Sequence, residues 1–137
     1  MGGALDARKA AGVSCPLTTA WQSWIHLENF SAYHDTPFAT KDNGFAGADT
    51  ELAFNSAAQV AHISAMGEWA QDGKFIYAGR RNEGGANFRA GECALFTESS
   101  AGYAGIKAEA EFDFEVRPLP TGLPWPPSRK TPSSGAP

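Results

Sequence analysis

Proline is concentrated at one end of the chain, and this limits where a folded domain can lie. Seven of the nine prolines fall between Pro118 and Pro137. Proline lacks a backbone N–H and disfavours helix interiors and central strands, and the same stretch has almost no hydrophobic periodicity. We therefore expect one folded body over residues 1–117 and an unstructured Pro-rich tail over residues 118–137.

The composition of the 137-residue chain is that of a globular protein and argues against several functional classes. Hydrophobic residues make up 42% of the chain, charged residues 19%, and the formal net charge is −4. Basic residues form no cluster beyond the pair Arg80–Arg81, so nucleic-acid binding is not expected. No apolar run approaches the roughly 20 residues of a membrane helix. Residues 1–8 lack the apolar core of a signal peptide.

The body alternates helical and extended signals, which is typical of an α/β layer structure. Asn43-Gly44 predicts a turn, because both residue types tolerate positive φ. Ser56 followed by Gln59 is typical of a capping box that opens a helix. The predicted helices are 4–11, 20–33, 56–71 and 99–107, with a helical turn at 87–90. The predicted strands are 13–18, 93–97 and 111–116.

Two short motifs are candidates for a ligand site. Trp21 and Trp24 are three residues apart on one helix face, where they could pack in the core or form the apolar wall of a site. Ser99-Ser100 precedes a helix, where a serine usually caps the first turn. The same geometry also presents free N–H groups and a hydroxyl to an anion.

The residues alone indicate no catalytic centre, cofactor or metal. His26, His34 and His62 have no metal-ligand spacing to Cys, Asp or Glu, and we expect them at the surface or half-buried. The chain has no Gly-x-Ser-x-Gly elbow and no evident carboxylate pair. The loop at 80–85 is Gly-rich but lacks the Gly-Lys-Ser/Thr ending of a phosphate-binding loop. Two cysteines, Cys15 and Cys93, are too few for a disulfide scaffold.

Several segments together resemble one family. The most specific is Trp21–Tyr33, which reads Trp-Gln-Ser-Trp-Ile-His-Leu-Glu-Asn-Phe-Ser-Ala-Tyr. The other matching segments are 37–45, 51–55, 77–80 and 88–95, followed by Ser99-Ser100. Over about residues 5–120 the chain resembles the periplasmic glycerol-3-phosphate-binding proteins of Ugp-type ABC importers, which are extracellular solute-binding proteins of family 1.

The resemblance implies a fold, a function and a set of site residues. It implies part of a two-lobed α/β protein that closes on its ligand like a flytrap, with residues 1–117 forming mostly the second lobe. The function implied is capture of sn-glycerol-3-phosphate or a glycerophosphodiester for an ABC permease in the inner membrane, without catalysis or a cofactor. The family's two ligand-site tryptophans match Trp21 and Trp24. Its ligand-site serine matches Ser99, with Ser100 as the second candidate.

Some features depart from the family pattern or leave alternatives open. Glu98 places a carboxylate beside the expected phosphate position, which is unfavourable unless the side chain points away. Cys15 and Cys93 could form a disulfide in an oxidising periplasm or could remain buried thiols. The alternative functions are a binding protein for a neutral sugar or oligosaccharide and, less favoured, an enzyme that cleaves a carbohydrate or phosphodiester.

A shift of the reading frame in the gene would account for the tail. Each shifted codon would join one residue's third base to the first two bases of the next. Read in this way from Ser128 to Pro137, the codons permit Pro-Gln-Asn/Asp-Ala-Ile-Ile-Gly-Gly-Ala. This resembles the family's double-Gly ligand loop. We therefore expect the tail from about Thr121 to be a frameshift product without function.

Overall fold

The computed structural model describes residues 1–119 and contains six helices and two strands in that range. The predicted tail boundary at 117/118 stays a prediction, since residues 120–137 lie outside the described residues. In chain order the elements are α1 (Gly2–Ala10), β1 (Cys15–Thr19), α2 (a π-helix at Trp24–Asn29 continued as an α-helix at Phe30–Tyr33), α3 (Thr40–Asn43), α4 (Ala57–Gln71), α5 (Glu83–Arg89), β2 (Cys93–Thr97), a 3-10 turn (Ser100–Gly102) and α6 (Tyr103–Glu109).

The two strands form a small parallel sheet at the centre of the body. Cys15 pairs with Cys93, Leu17 with Leu95 and Thr19 with Thr97. A parallel pair needs a long crossover, which the chain supplies between the strands with helices α2 to α5. Around β1 a core forms from four buried side chains, Leu5, Leu17, Met66 and Phe75. The structure is therefore a partial α/β lobe, as predicted.

Most predicted elements are present, and local chemistry explains their ends. Gly12 follows α1 with φ of +80°, a conformation that suits glycine. At the start of α4, the Gln59 side chain accepts a hydrogen bond from the Ser56 N–H at 2.9 Å. The predicted Asn-Gly turn is also present, with φ of +56° at Asn43 and +95° at Gly44.

The third predicted strand, at 111–116, is wrong, since this segment has no regular structure. Its alternating phenylalanines pack on α5 and do not extend the sheet. The rings of Phe112 and Phe114 meet Phe88 edge-on, with centroids 5.5 and 6.3 Å away. An alternating apolar pattern predicts a strand with one buried face, whereas here Phe112 and Phe114 join an aromatic cluster in which Phe112 stays 36% accessible, without a hydrogen-bonded partner strand.

Three further features of the described residues concern the surface, the cysteines and the length of the helices. Apolar side chains remain exposed on α4, where Val60 is 53% and Ile63 47% accessible to solvent. Cys15 and Cys93 form a disulfide between the first residues of the two strands, with their Cα atoms 4.5 Å apart. No helix within residues 1–119 is both long and apolar enough to cross a membrane.

Candidate functional site

An open cleft of about 420 Å³ lies at the carboxyl ends of the two strands. Its lining comes from three segments that are far apart in sequence: Trp21 and Trp24 after β1, Asn82 before α5, and Glu98, Ser99, Ala101 and Gly102 after β2. Carboxyl ends of parallel strands meet at one edge of a sheet, and this edge is where open α/β proteins bind ligands. The topology therefore brings the predicted residues Trp21, Trp24 and Ser99 together.

Trp21 has a backbone conformation that is unusual for a bulky residue. Its φ is +46°, in the left-handed region that disfavours side chains with a Cβ. The loop before α5 holds this conformation, because the Trp21 N–H donates to the Arg81 carbonyl at 2.8 Å and the Gln22 side chain donates to the Gly79 carbonyl. Such outliers persist only where the surroundings enforce them, and they cluster at functional sites.

Trp24 begins the π-helical part of α2, and the residue is 41% accessible to solvent. Trp21 is 42% accessible, so neither residue is part of the buried core. A π-helical segment is rare and is frequently found at functional sites. Both residues line the cleft, and an indole carries an apolar ring face and an N–H group that can donate a hydrogen bond.

Ser99 caps the 3-10 turn, because its Oγ accepts a hydrogen bond from the Ala101 N–H at 3.2 Å. This is the ordinary capping role for a serine, and the side chain still lines the cleft with its own O–H available as a donor. Ser100 is the first residue of the 3-10 turn and is not among the residues that line the cleft.

Glu98 does not point away from the cleft. Its Oε1 accepts a hydrogen bond from the Ser99 N–H at 2.7 Å, and the residue is half-buried. The side chain lies over Gly102, where an added Cβ would approach Glu98 Cγ to 2.7 Å. The Glu98 carboxylate therefore already accepts a hydrogen bond from the Ser99 N–H, one of the backbone N–H groups that the sequence predicted for an anionic ligand.

Sequence reasoning placed Glu98 beside the site but missed the contribution of Asn82 to the cleft. The loop at 80–85 ends earlier than expected, because α5 already begins at Glu83. Asn82 sits immediately before this helix, and an Asn at that position is the available sequence signal. Within residues 1–119 no group of three His, Cys, Asp or Glu side chains could hold a metal ion.

A buried histidine anchors the tryptophan-bearing helix to both strands, which corrects the surface or half-buried position expected for His26. His26 is only 5% accessible. Its Nε2 lies 2.9 Å from Thr19 Oγ1 and 3.2 Å from Thr97 Oγ1, at the last residues of β1 and β2. Its Nδ1 lies 3.3 Å from Nε2 of His62. This network sits behind the cleft and positions α2.

We expect acid to destabilise the fold through these two histidines. Burial lowers the pKa of His26 to about 4, and burial together with the nearby His34 lowers the pKa of His62 to about 4. In the unfolded chain both histidines bind a proton near pH 6.5, whereas in the folded chain they stay neutral until about pH 4. The free energy of unfolding is therefore highest above pH 6.5 and decreases as the pH falls towards 4. For His26 the loss at pH 4 is roughly 2–3 kcal/mol.

Urea denaturation at pH 7, 5.5 and 4.5 measures this effect. The urea concentration at the unfolding midpoint should fall steadily as the pH is lowered. His26→Asn should make this decrease with pH smaller, because one of the two titrating groups is gone. An unchanged midpoint from pH 7 to 4.5 would contradict the burial of neutral histidines.

The partial α/β lobe with a cleft at the carboxyl ends of its strands is consistent with part of a solute-binding protein, and comparison with known proteins finds relatives of that kind. No protein-family profile matches the chain. The chain is 45% identical over 112 residues to proteins named "sn-glycerol-3-phosphate-binding periplasmic protein UgpB" from Shigella flexneri, Escherichia coli (strain K12) and Salmonella paratyphi A. The match covers 82% of this chain and 26% of each relative, so the chain spans about a quarter of their length. The resemblance predicted from the sequence is confirmed.

Proposed function

We propose that the chain is part of the substrate-binding component of an ABC importer that captures sn-glycerol-3-phosphate or a glycerophosphodiester. The observation that carries this proposal is the convergence of Trp21, Trp24 and Ser99 on one cleft. It is supported by the 45% identity to glycerol-3-phosphate-binding proteins. The protein would act in the periplasm and deliver its ligand to a permease in the inner membrane.

Each of these side chains has a defined role in this proposal. The two indoles pack against the glycerol carbons, and their N–H groups orient its oxygens. The Ser99 hydroxyl donates to a ligand oxygen, and a hydrogen bond to a charged group contributes roughly 1.5–3 kcal/mol. The cleft is open on one side, so we propose that a second lobe supplies the facing donors and that closure signals occupancy to the permease.

A neutral sugar or oligosaccharide is the second candidate ligand, and two residues favour it. Asn82 and Glu98 both line the cleft, and amide and carboxylate groups are suited to sugar hydroxyls. Catalysis has less support, because hydrolysis of a glycosidic bond needs two carboxylates and only Glu98 contributes one among the described residues that line the cleft. We propose a binding role and no enzymatic activity.

The two tryptophans can be tested in a chimaera that carries the matching 112-residue segment in the Escherichia coli relative. We expect the chimaera to bind glycerol-3-phosphate or glycerophosphocholine in calorimetry, and Trp21→Ala or Trp24→Ala to weaken binding by about tenfold or more. The reason is that burying an aromatic face contributes roughly 1.5–3 kcal/mol.

Phe45→Ala is the matched control, because Phe45 is an aromatic residue that is 94% accessible and does not line the cleft. This variant should bind like the unmodified chimaera. Full affinity in both tryptophan variants would remove the indoles from the site, and preference for an oligosaccharide would favour the second candidate.

A further inference from the structure

Two histidines connect α4 to the ends of both strands behind the cleft. His62, on α4, contacts His26 through two ring nitrogens that lie 3.3 Å apart. His26 in turn contacts the hydroxyls of Thr19 and Thr97. The His62 ring also stacks on Phe30, with the ring centroids 4.1 Å apart. This histidine pair, His26 and His62, therefore connects α2, α4, β1 and β2.

The two threonines in contact with the histidine pair lie directly before the segments that form the cleft. Thr19 precedes Trp21 by two residues, and Thr97 precedes Ser99 by two residues. The intervening Ala20 is buried, and its N–H donates to the Thr97 carbonyl at 3.0 Å. A displacement of the histidine pair is therefore only two residues away from each side of the cleft.

The contact between the two rings fits neutral imidazoles. A neutral imidazole has one N–H donor and one acceptor nitrogen, so Nδ1 of His26 and Nε2 of His62 can share one proton. With an additional proton on each ring, two N–H groups would face each other and two positive charges would repel at this distance. Protonation of both rings therefore breaks the contact.

The surroundings of the histidine pair offer no carboxylate to compensate a positive charge. A cavity of about 90 Å³ beside the two rings is lined mainly by apolar side chains. Besides the pair, the titratable groups among its described lining residues are the amino group of Met1, the phenol of Tyr33 and the imidazole of His34. From the strands, only the neutral threonine hydroxyls contact the pair. Burial is the main reason why the pKa of both histidines is lowered to about 4.

We propose that His26 and His62 are proton-sensitive positioning residues that lower the ligand affinity of the cleft in acid. This inference rests on the proposed function and concerns its regulation. Neither histidine lines the cleft, so both act through the segments that carry Trp21 and Ser99. Separated and solvated rings bind protons near pH 6.5, so acid favours a state in which the pair is broken. The fraction of chains with an assembled cleft then decreases, and the apparent affinity decreases with it.

Nuclear magnetic resonance of the 137-residue chain tests the positioning step without a ligand. The indole N–H signals of Trp21 and Trp24, assigned with single Trp→Phe variants, are followed from pH 7 to pH 5. We expect both signals to shift over this range. In the double variant His26→Gln/His62→Gln the side chains still form hydrogen bonds but take up no proton, so the shifts should disappear. The single variant His62→Gln should reduce them.

Calorimetry on the chimaera described above measures the consequence for binding. Glycerol-3-phosphate and glycerophosphocholine are titrated at pH 7 and pH 5, and the dissociation constant at pH 5 is divided by that at pH 7. We expect this ratio to be about tenfold larger in the unmodified chimaera than in the double variant. The titration of the ligand itself is common to both proteins and cancels. Circular dichroism should show the same helix signal at both pH values.

His34→Gln is the matched control, because it removes a third histidine from the same cavity and leaves the histidine pair in place. This variant should retain the pH dependence. The inference would be overturned by indole signals that do not shift in the unmodified chain, by equal ratios in the unmodified chimaera and the double variant, or by an affinity that falls only together with the helix signal. If neither ligand binds at pH 7, the proposed function fails, and the indole signals still decide whether the histidine pair positions the cleft.

Discussion

Reduction of the disulfide between Cys15 and Cys93 is expected to lower the free energy of unfolding by about 4 kcal/mol. The bond joins residues 78 positions apart, so it removes a long loop's conformational freedom from the unfolded chain. Both cysteines are buried at the first residues of the paired strands, 6% and 3% accessible. A loss of this size is comparable to the whole stability of a small domain, so the reduced body should be largely unfolded at 37 °C.

Urea denaturation with and without reductant measures the difference. The double variant Cys15→Ala/Cys93→Ala should melt like the reduced protein, and adding reductant to it should change nothing. Thiol titration of the denatured chain, purified without reductant, provides an independent check. Two free thiols in that titration would show that the bond does not form.

Gly84→Ala is expected to destabilise the fold by about 3 kcal/mol. Gly84 lies on α5 against the end of β1, and a Cβ there would lie 2.5 Å from the Thr19 carbonyl oxygen and 2.7 Å from Thr18 Oγ1. Neither atom can yield easily, because the first belongs to the strand backbone and the second donates to the Ile76 carbonyl at 3.0 Å. The helix must move away from the sheet, and Asn82 at the rim of the cleft moves with it.

Gly67→Ala is the control for this substitution. Gly67 also lies within a helix, α4, but no atom beyond its own neighbourhood lies within 4 Å of the added Cβ. Replacing a helical glycine by alanine at an open position should stabilise the protein by roughly 0.5–1 kcal/mol. Thermal unfolding of both variants should therefore show shifts of opposite sign, and a wild-type melting curve for Gly84→Ala would contradict the close packing of α5 on β1.

The parts of the fold that sequence reasoning predicted are those determined by local chemistry. The Ser56 and Gln59 pair and the glycine after α1 mark helix ends through their own backbone and side-chain preferences. Hydrophobic periodicity, which also depends only on residues near each other in the sequence, predicted α4 and β2. Residues 111–116 show the limit of this reasoning, because their alternating pattern is equally satisfied by packing on Phe88.

Only those residues of the candidate site that belong to a recognisable sequence motif could be predicted. Trp21, Trp24 and Ser99 stand in motifs that resemble a known family, and the parallel register then brings them to one cleft. The positive φ of Trp21 and the buried His26 depend on contacts with distant residues. The sequence could not decide whether Cys15 and Cys93 form a disulfide for a similar reason. Only the pairing of β1 with β2 places the two cysteines opposite each other.

The central claim, that Trp21 and Trp24 form the wall of a ligand site, is tested most directly by nuclear Overhauser effects in the chimaera. Isotope labelling of tryptophan allows contacts between the indole protons and the glycerol or head-group protons of bound glycerophosphocholine to be observed. The account predicts contacts from both indoles, and their loss when the ligand is displaced. Binding of the ligand without contact to either indole would contradict it.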